Sequence, residues 1–532
     1  MEHAQHEYEI SRMKSPGLQV FIIVLGVFMA VLDTSVVNVA IPTMENAFNA
    51  TTTQIQWVLT GYMLMMGVMI PISGWLTDRF GAKHLFLFAL TVFTLGSALC
   101  GASWSTGSII TFRLIQAIGG GLMMPVAQAM IFRIFPPDRR GSVMGIFGIS
   151  IMVAPAIGPT LSGYLVEYAS WRLIFYLNVP IGIIELILGL MFMHEFAHHT
   201  SQRFDKWGFT LSTVGFFSLL YGLNNVAADG WSSPKVFGFV ALGIICVVSL
   251  VIVELNMEHP MIDFRVFGDY LFTMSTIIGG LIQIALFTGI FFLPIYLQNI
   301  VGLSAMRTGL LMMPAALGSA VMMPIAGRLF DRIGARPLGI VGLAGMTIVT
   351  IGFTRLSPAT SVGHVQWLYL FRQVAMGLTM MPIMTAGMNL LPPRLISQGS
   401  AVSNTSRQVA SSLGVAVLTS ILDQREKFHF AVMAQNVTPF TPQGQDIARM
   451  VQAFEAQGMS PAHAQVAAVA EMSGVLQAHA FVMGMNDAFW VAAGLTTVAF
   501  VLVLFFGSKK EAAIRASRRL KPKGAAAVPV ME

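Results

Sequence analysis

The chain has 532 residues, of which 55% are hydrophobic and 11% are charged. Ordinary soluble domains contain about 25% charged residues, so this composition excludes a water-soluble globular protein. The net charge of +6 reflects the orientation of membrane loops, described below, and does not indicate nucleic-acid binding.

Apolar segments of membrane-spanning length recur along the whole chain. A hydrocarbon core of about 30 Å requires about 20 predominantly apolar residues in a helix. By this criterion we predict fourteen transmembrane helices, near residues 18–41, 56–76, 84–103, 108–130, 142–164, 173–193, 207–226, 236–255, 270–298, 305–325, 337–354, 365–390, 399–422 and 487–507.

The Lys and Arg residues predict how these helices are oriented. Most of the 31 fall in the loops of one side and in a basic tail, residues 509–532. Cytoplasmic loops carry such an excess, so we expect both termini in the cytoplasm. The first apolar run is longer than the core of a cleavable signal peptide, and we expect it to be retained. Both cysteines, Cys100 and Cys246, fall inside predicted helices, which argues against a disulfide framework.

Two stretches of sequence are repeated at a nearly constant offset. The block 74–83 recurs as 327–336, and the segment 113–125 is echoed by 372–382. Parallel repeats build the two halves of one class of secondary transporter around a central path. We therefore predict an all-α polytopic membrane protein with two six-helix bundles and two additional helices between them. The predicted divisions are 1–200 for the first bundle, 201–262 for the additional helices, 263–508 for the second bundle and 509–532 for the cytoplasmic tail.

One connection, residues 423–486 on the non-cytoplasmic side, is far longer than an ordinary loop. A Thr-Pro pair at 441–442 and a Ser-Pro pair at 460–461 have the chemistry of helix starts, and Gly458 suits a helix end. The second helix is expected to bury an apolar stripe of Val466, Val469, Met472 and Leu476. We predict a small helical cap packed on helices thirteen and fourteen. The alternative is a docking surface for another protein.

Ionisable residues inside the predicted helices are costly in hydrocarbon and are therefore functional candidates. Asp33 in helix one and Arg113 in helix four lie at similar depth, counted at about 1.5 Å per residue, and we expect them to pair. Such a buried carboxylate can exchange a proton for cargo when its surroundings change. The alternative is a static ion pair that fixes helix one against helix four. Arg372 and Arg407 are cations of the second half without an evident acidic partner.

Glu185, in the middle of helix six, is a second candidate for proton coupling. It lies on a stripe with Asn178, Gly182 and Gly189 at helical spacing, which predicts a side that faces protein. The alternative is a buried structural role.

Other residues are candidates for conformational roles. In helix five, Pro155, Gly158, Pro159 and Gly163 predict a bend or a tight helix crossing. The repeated block combines glycines for a tight turn with an acid and a base near the helix end. Its candidate gating residues are Gly74, Asp78, Arg79 and Gly81 in the first copy and Gly327, Asp331 and Arg332 in the second. We expect this block to latch cytoplasmic helix ends, with Asp78 near a helix N-terminus; the alternative is a loop that only sets topology.

A different class of protein is suggested by one short motif. His194, Glu195 and His198 satisfy the H-E-x-x-H pattern, in which two His bind zinc and Glu acts as a base. A membrane zinc metalloprotease is therefore an alternative, although no convincing third ligand is evident and a protease would not need duplicated halves. No phosphate-loop motif is present, so we do not expect transport to be driven directly by ATP hydrolysis.

Taken together, the motifs resemble the major facilitator superfamily and, within it, the fourteen-span drug:proton antiporters of the DHA2 branch. The segments that carry this resemblance are 32–42 in helix one, 74–83 in the first loop, 113–121 in helix four, 158–163 in helix five and 171–182 before helix six. The long connection 423–486 resembles that of the bacterial EmrB subfamily. One departure is Ser162, which stands where the antiporter motif usually has a glycine, and we expect slightly looser packing there.

The resemblance implies proton-driven export of hydrophobic or amphipathic drugs across a bacterial inner membrane, by alternating access and without a cofactor. It implies that Asp33 and Arg113 carry proton coupling and that Asp78 and Arg79 help to close the cytoplasmic gate. Residues expected to contact cargo are Asn38, Gln116, Gln283 and Asn404. For a Gram-negative host it also implies an EmrA-like periplasmic adaptor and an outer-membrane channel. A dedicated exporter or importer of one metabolite on the same fold is the main alternative.

Overall fold

The computed structural model of the protein describes residues 16–195, 204–258 and 260–507. Within these ranges the chain is helical and contains no strand. The segment before Pro16, the predicted zinc ligand His198 and the basic tail 509–532 lie outside the described residues.

Fourteen helices correspond to the predicted spans, and we number these α1 to α14. The first six are α1 (Pro16–Phe48), α2 (Trp57–Phe80), α3 (Ala82–Gly101), α4 (Thr106–Ile134), α5 (Arg140–Tyr168) and α6 (Asn178–Phe192). Single helical turns, Thr52–Ile55 and Leu173–Tyr176, precede α2 and α6. The next two are α7 (Lys206–Asp229) and α8 (Pro234–Asn256). The last six are α9 (Tyr270–Phe287), α10 (Ala305–Ile333), α11 (Ala335–Phe353), α12 (Val362–Asn389), α13 (Ile396–Gln435) and α14 (Pro461–Leu504).

Hydropathy and burial together explain these helices. Eleven helices in the described part of the chain are long and apolar enough to cross a membrane by length and composition alone. The other three, α7, α12 and α13, have spanning length but are more polar. Several polar side chains of α12 and α13 are buried, including Arg372, Thr379, Ser400 and Asn404. Polar groups inside a membrane protein face the protein interior, so these helices lie within the bundle and need little apolar surface.

The same pairs of helices pack against each other in both halves. In the first half α1 packs on α5, α2 on α4, and α3 on both α4 and α6. In the second half the corresponding pairs are α9 with α13, α10 with α12, and α11 with both α12 and α14. The predicted sequence repeat is therefore also a repeat of structure.

The two most extensive contacts between the halves are the crossings of α5 with α10 and of α2 with α13. These crossings correspond to each other under the repeat. The α5–α10 crossing is close because Gly145 packs directly on the backbone of Met323 and Pro324, where a β-carbon would not fit. Helices α7 and α8 form a hairpin, and α7 packs on α2 and α13.

α9 continues beyond Phe287 with irregular geometry. Two π-helical turns, Thr288–Phe292 and Tyr296–Ile300, flank a short α-helical turn, Leu293–Ile295. π-helical turns occur frequently at functional sites because they redirect backbone carbonyls. The first of these turns faces the buried Arg372 described below.

The long connection differs in detail from the predicted cap. A helix at Pro442–Ala456 begins where predicted, with the Thr441 side chain accepting a hydrogen bond from Gly444 N. Gly458 follows it with φ 93°. The second predicted helix is the first part of α14 and is continuous with the membrane span. Its buried residues are Ala464, Ala468 and Met472.

The predicted apolar stripe in this second helix is partly wrong. Val466 and Val469 are 70% and 50% exposed, respectively. The face that packs inward is offset from them and contains two small alanines besides the predicted Met472, because alanine permits α14 to lie close to its neighbours.

The α7–α8 hairpin provides a test of close packing. A β-carbon at Gly243 of α8 would meet the backbone of Leu219 of α7, whereas one at Gly238 would meet open space. We expect Gly243→Ala to destabilise the protein by about 1–3 kcal/mol through overpacking. Thermal unfolding in detergent, followed by intrinsic fluorescence, would show a lower midpoint for Gly243→Ala.

The matched control is Gly238→Ala in the same helix, which should leave the midpoint unchanged or slightly raised because alanine favours helix. Equal midpoints for the two variants would contradict the described contact.

Candidate functional site

A buried polar cluster joins α1, α4 and α6 in the first half. Asp33 of α1, Arg113 and Gln116 of α4, and Asn178 at the start of α6 are each at most 1% exposed. Asp33 Oδ2 accepts a hydrogen bond from Arg113 Nη1 at 2.5 Å. Its Oδ1 accepts from Gln116 Nε2 at 3.0 Å and from Asn178 Nδ2 at 3.1 Å. The contact between Asp33 and Arg113 predicted from sequence is therefore present.

The guanidinium of Arg113 is held on several sides. Its Nη1 also donates to Gln116 Oε1 at 2.7 Å, and its Nε donates to the Val58 carbonyl of α2 at 3.3 Å. The guanidinium carbon lies 4.0 Å from the centre of the Tyr62 ring, a cation–π contact. Arg113 Nη2 and the Tyr62 hydroxyl are buried without a hydrogen-bond partner. The cluster thus contains two unbonded donor groups next to a carboxylate that already accepts three hydrogen bonds.

Glu185 lies on the same helix as Asn178 but outside this cluster. The buried residues of α6 are Asn178, Gly182, Glu185 and Gly189, which is the stripe predicted from spacing. The Glu185 carboxyl packs against Gly26 of α1, where a β-carbon would overlap Oε1. Neither of its oxygens has a hydrogen-bond partner in the part of the chain that the structure describes. Glu185 is therefore a second, separate acid in the first half.

The four residues expected to contact cargo do not form one site. Gln116 belongs to the Asp33 cluster, whereas Asn38 is exposed and donates to the Thr34 carbonyl at 3.3 Å. Gln283 is half-buried on α9. Asn404 is buried at the contact between the halves, where it donates to Gln128 Oε1 of α4 at 2.7 Å.

The second copy of the repeated block joins the two halves. Asp331, at the end of α10, accepts hydrogen bonds from the backbone N–H groups of Gly141 and Ser142 at 3.0 and 2.9 Å, and from the Ser142 hydroxyl at 2.5 Å. These amides belong to the first turn of α5, where a negative charge is favourable. The interaction with helix-start amides that we predicted for Asp78 is thus observed for its counterpart Asp331.

The first copy makes the corresponding contact with side chains. Asp78, at the end of α2, accepts from Arg133 Nη2 of α4 at 3.0 Å and from Gln398 Nε2 of α13 at 3.2 Å. Arg133 Nη2 also donates to the Ser397 hydroxyl at 2.6 Å. The contacts of Asp78 and Asp331 tie α2 to α13 and α10 to α5. Because the sequence predicts that these helix ends are cytoplasmic, we call the contacts together the cytoplasmic latch.

In each copy of the repeated block, one glycine permits the tight turn between two consecutive helices next to the latch. Gly81 and Gly334 have φ of 87° and 84°, a region that favours glycine, and each separates two helices with no intervening loop. Gly74 and Gly327 allow close approach to α13 and α5, where they face Gln398 and Gly141. Arg79 and Arg332 are exposed.

Helix α5 is unbroken through Pro155 and Pro159, and its close approach lies at Gly158. A β-carbon there would overlap the Ser35 hydroxyl of α1. Gly163 has open space around it. The expectation of looser packing at Ser162 is wrong, because this side chain is fully buried and donates to the Val36 carbonyl of α1 at 2.6 Å.

The residues of the zinc motif have a structural role in the described part of the chain. The Glu195 carboxylate accepts from the backbone N–H of His84 at 3.2 Å, at the first turn of α3, and lies 2.8 Å from His84 Nδ1. His194 Nδ1 is 3.2 Å from Gln19 Nε2 of α1. The proposed catalytic base therefore caps α3 and fixes the end of α6 to it.

The second half contains a buried cation in a different setting. Arg372 of α12 is fully buried and donates to the Ala285 carbonyl and, at 3.1 Å, to Thr288 Oγ1 at the π-helical turn of α9. Among the described residues no carboxylate is paired with it. Arg407 donates to Asn404 Oδ1 at 2.6 Å and contacts the Met384 sulfur.

Several of these partners were not identified from sequence. Asn178 appeared only as a member of a stripe, and Arg133, Ser397 and Gln398 were not singled out. One signal was available: Gly141-Ser142 after a Pro-Pro pair is matched by Gly399-Ser400 after a second Pro-Pro pair. That repeat marks the two helix starts that the latch contacts.

Comparison with known proteins identifies the family. The sequence profile of the Major Facilitator Superfamily matches residues 23–415. The chain is 40% identical to the uncharacterized MFS-type transporter YhcA of Bacillus subtilis, over 95% of this chain and 96% of that protein. It is 33% identical to the lincomycin resistance protein LmrB of Listeria monocytogenes, over 77% and 87% of the two chains. It is 29% identical to the multidrug export protein EmrB of Escherichia coli, over 90% and 93%.

A solved structure supports the same fold. The human organic anion transporter MFSD10 superposes with a TM-score of 0.59 at 13% identity, covering 92% of this chain and all (100%) of that one. At this identity the similarity concerns the fold alone. The profile match, the relatives and the paired six-helix halves agree, and they indicate a transporter and not a protease. The chain belongs to the major facilitator superfamily, where its relatives include the EmrB-like exporters.

Proposed function

We propose that the protein is a proton-driven multidrug exporter of the bacterial cytoplasmic membrane. It exchanges protons for hydrophobic or amphipathic compounds by alternating access between its two halves. The observation that carries this proposal is the fully buried Asp33–Arg113 pair inside a bundle of this family. The multidrug export protein EmrB and the lincomycin resistance protein LmrB, as relatives, support the class of cargo.

The Asp33 cluster provides a chemical basis for proton coupling. While Arg113, Gln116 and Asn178 all donate to Asp33, the charged carboxylate is stabilised. If α4 moves relative to α1, the guanidinium withdraws and burial favours the protonated acid. Uptake and release of one proton therefore follow the relative position of two helices.

One proton supplies enough energy for useful export. It contributes about 2.3 kcal/mol at a membrane potential of 100 mV and about 1.4 kcal/mol per pH unit. Together these support a gradient of roughly a few hundredfold for a neutral compound.

The cytoplasmic latch supports the alternating-access part of the proposal. It joins the cytoplasmic ends of the halves through Asp78 and Asp331, so a path from the cytoplasm opens only after these hydrogen bonds break. Because the two contacts correspond under the repeat, both break in one rotation of one half against the other.

We assign cargo contact to the interior of the second half, among α9, α12 and α13. A small cavity among α9, α12 and α13 is lined in part by Met380, Met384, Ser403 and Arg407. Methionine side chains adapt to varied shapes, which suits a site that accepts unrelated compounds.

In a Gram-negative host, the proposal includes a periplasmic adaptor and an outer-membrane channel. The adaptor contact is assigned to the connection between α13 and α14, where Phe440 is 91% exposed. An exposed aromatic side chain on an extramembrane loop suits a protein contact.

Replacement of Asp33 tests proton coupling. Asp33→Asn keeps the size of the side chain, but it replaces one acceptor oxygen with an NH2 donor and cannot exchange a proton. In proteoliposomes with an imposed pH gradient, we expect drug accumulation by Asp33→Asn to fall to the level of protein-free vesicles. Uptake of a fluorescent drug would be measured alongside proton flux with a pH-sensitive dye.

The matched control is Asp423→Asn, which changes an exposed carboxylate paired only with Lys427 and should transport like the wild type. Full pH-driven accumulation by Asp33→Asn would remove Asp33 from the mechanism. Glu185→Gln, measured in the same way, decides whether the second acid is also required.

Removal of Asp331 tests the latch. Asp331→Ala deletes three hydrogen bonds, and charge-assisted bonds contribute about 1.5–3 kcal/mol each. We expect the population with closed cytoplasmic ends to fall at least about tenfold. Distances between spin labels at Arg139 and Arg336, measured by double electron–electron resonance, would report this shift. Asp138→Ala, an exposed carboxylate near the same turn, is the control, and identical distance distributions for the two variants would refute the latch.

Competition experiments distinguish the alternative of a single-metabolite transporter. Chemically unrelated hydrophobic compounds should inhibit one another's export through a shared site. Export of one compound that is unaffected by all others would favour the dedicated transporter.

A further inference from the structure

Two buried carboxyl groups meet at the cytoplasmic end of the α7–α8 hairpin. Asp205 precedes α7 and Glu254 lies near the end of α8; they are 6% and 1% exposed. Both reach over Gly208, where a β-carbon would overlap Asp205 Oδ2 and Glu254 Oε1. Glycine at this position leaves the space in which the two oxygens converge.

The remaining oxygens of the pair are already bonded. Asp205 Oδ1 accepts from the backbone N–H groups of Trp207 and Gly208 at 3.0 and 2.9 Å, which caps α7. Glu254 Oε2 accepts from the backbone N–H of Met261 at 2.8 Å, and the converging oxygen Oε1 accepts from the backbone N–H of Ile262 at 3.3 Å. Among the described residues, Asp205 Oδ2 has no hydrogen-bond donor and faces a second acceptor. A proton on one carboxyl group supplies the missing donor.

No positive charge compensates this pair within the described residues. Neither carboxyl takes part in an ion pair with another described residue. The described charged groups nearby in the chain are exposed: Lys206 on α7, Glu258 after α8 and Arg265 in the following segment. Arg203 and His259 lie outside the described residues. On α2, Asp78 is paired with Arg133. Asp263 Oδ1 accepts from its own turn, at Arg265 N.

The segment held by Glu254 leads to the latch. Directly after Met261 and Ile262, the backbone N–H of Asp263 donates to Gln398 Oε1 at 3.4 Å. Gln398 Nε2 donates in turn to Asp78 at 3.2 Å. On the other side of the pair, Phe204 packs edge-on against Trp75 of α2, with ring centres 5.4 Å apart.

We propose that Asp205 and Glu254 share one proton and form a proton-binding site outside the two six-helix bundles, which holds the segment 260–264 against the latch residue Gln398. Loss of that proton leaves two buried negative charges in contact, and their repulsion releases the segment. This site would make the latch sensitive to cytoplasmic pH independently of Asp33.

Hydrogen–deuterium exchange of the full-length protein in nanodiscs tests this site. The peptide containing Met261 and Ile262 would be followed over a pH series and corrected for the intrinsic pH dependence of exchange. Because the held segment binds one proton more than the released segment, its protection should fall with rising pH, by at most about tenfold per pH unit. Glu254→Gln and Asp205→Asn cannot form two negative charges, so protection should become independent of pH in each. Infrared difference spectra should show a protonated carboxyl band that both variants lose.

Two controls locate the effect. Glu258→Gln changes an exposed carboxylate just before this segment, and His259→Gln removes a histidine, a residue type whose ordinary pKa lies near neutral pH; both should keep the wild-type pH dependence. The same pH dependence in wild type, Glu254→Gln and Asp205→Asn would overturn the proposal, as would its loss in His259→Gln alone. Neither readout requires transport, so failure here is distinguishable from failure of the drug-export proposal.

Discussion

The cost of burying a charge inside a membrane protein is the constraint on which the first half depends. Asp33 is tolerable because one guanidinium and two amide side chains donate to it, and these donors come from α4 and α6. Removing one member of a buried ion pair typically costs about 3–5 kcal/mol, so the arrangement of α1, α4 and α6 is tied to the charge state of Asp33. The proposed protonation of Asp33 would therefore change which helix arrangement is favoured.

In the described part of the second half, the corresponding helices contain no buried carboxylate paired with an arginine. Arg372 occupies the position equivalent to Arg113, but it donates to a carbonyl and a hydroxyl of α9 at the π-helical turn. The backbone irregularity offers an acceptor where the first half offers an acid. Among the described residues, the repeat has thus kept the cation and not the carboxylate, which places the proposed proton chemistry in one half.

The features that could be predicted from the sequence are those that depend only on where a residue lies along its helix. The depth of Asp33 and Arg113, the α6 stripe containing Glu185 and the repeated block all follow from residue spacing. Contacts that depend on how helices are rotated and tilted against each other were missed, such as Asn178 on Asp33 and Gln398 on Asp78. The motif 194–198 was ambiguous because a carboxylate that caps a helix has the same local sequence as one that serves zinc.

The α7–α8 hairpin makes the two inter-half contacts unequal. The α5–α10 contact relies on glycine packing and on a carboxylate at a helix start. The corresponding α2–α13 contact relies on the side chains of Arg133 and Gln398 and is also flanked by α7. A contact made by long side chains is more easily rearranged than one made by backbone amides, because fewer rigid groups must move. It follows that the α2–α13 side is where an additional element can adjust the latch, and the hairpin with its carboxyl pair is attached there.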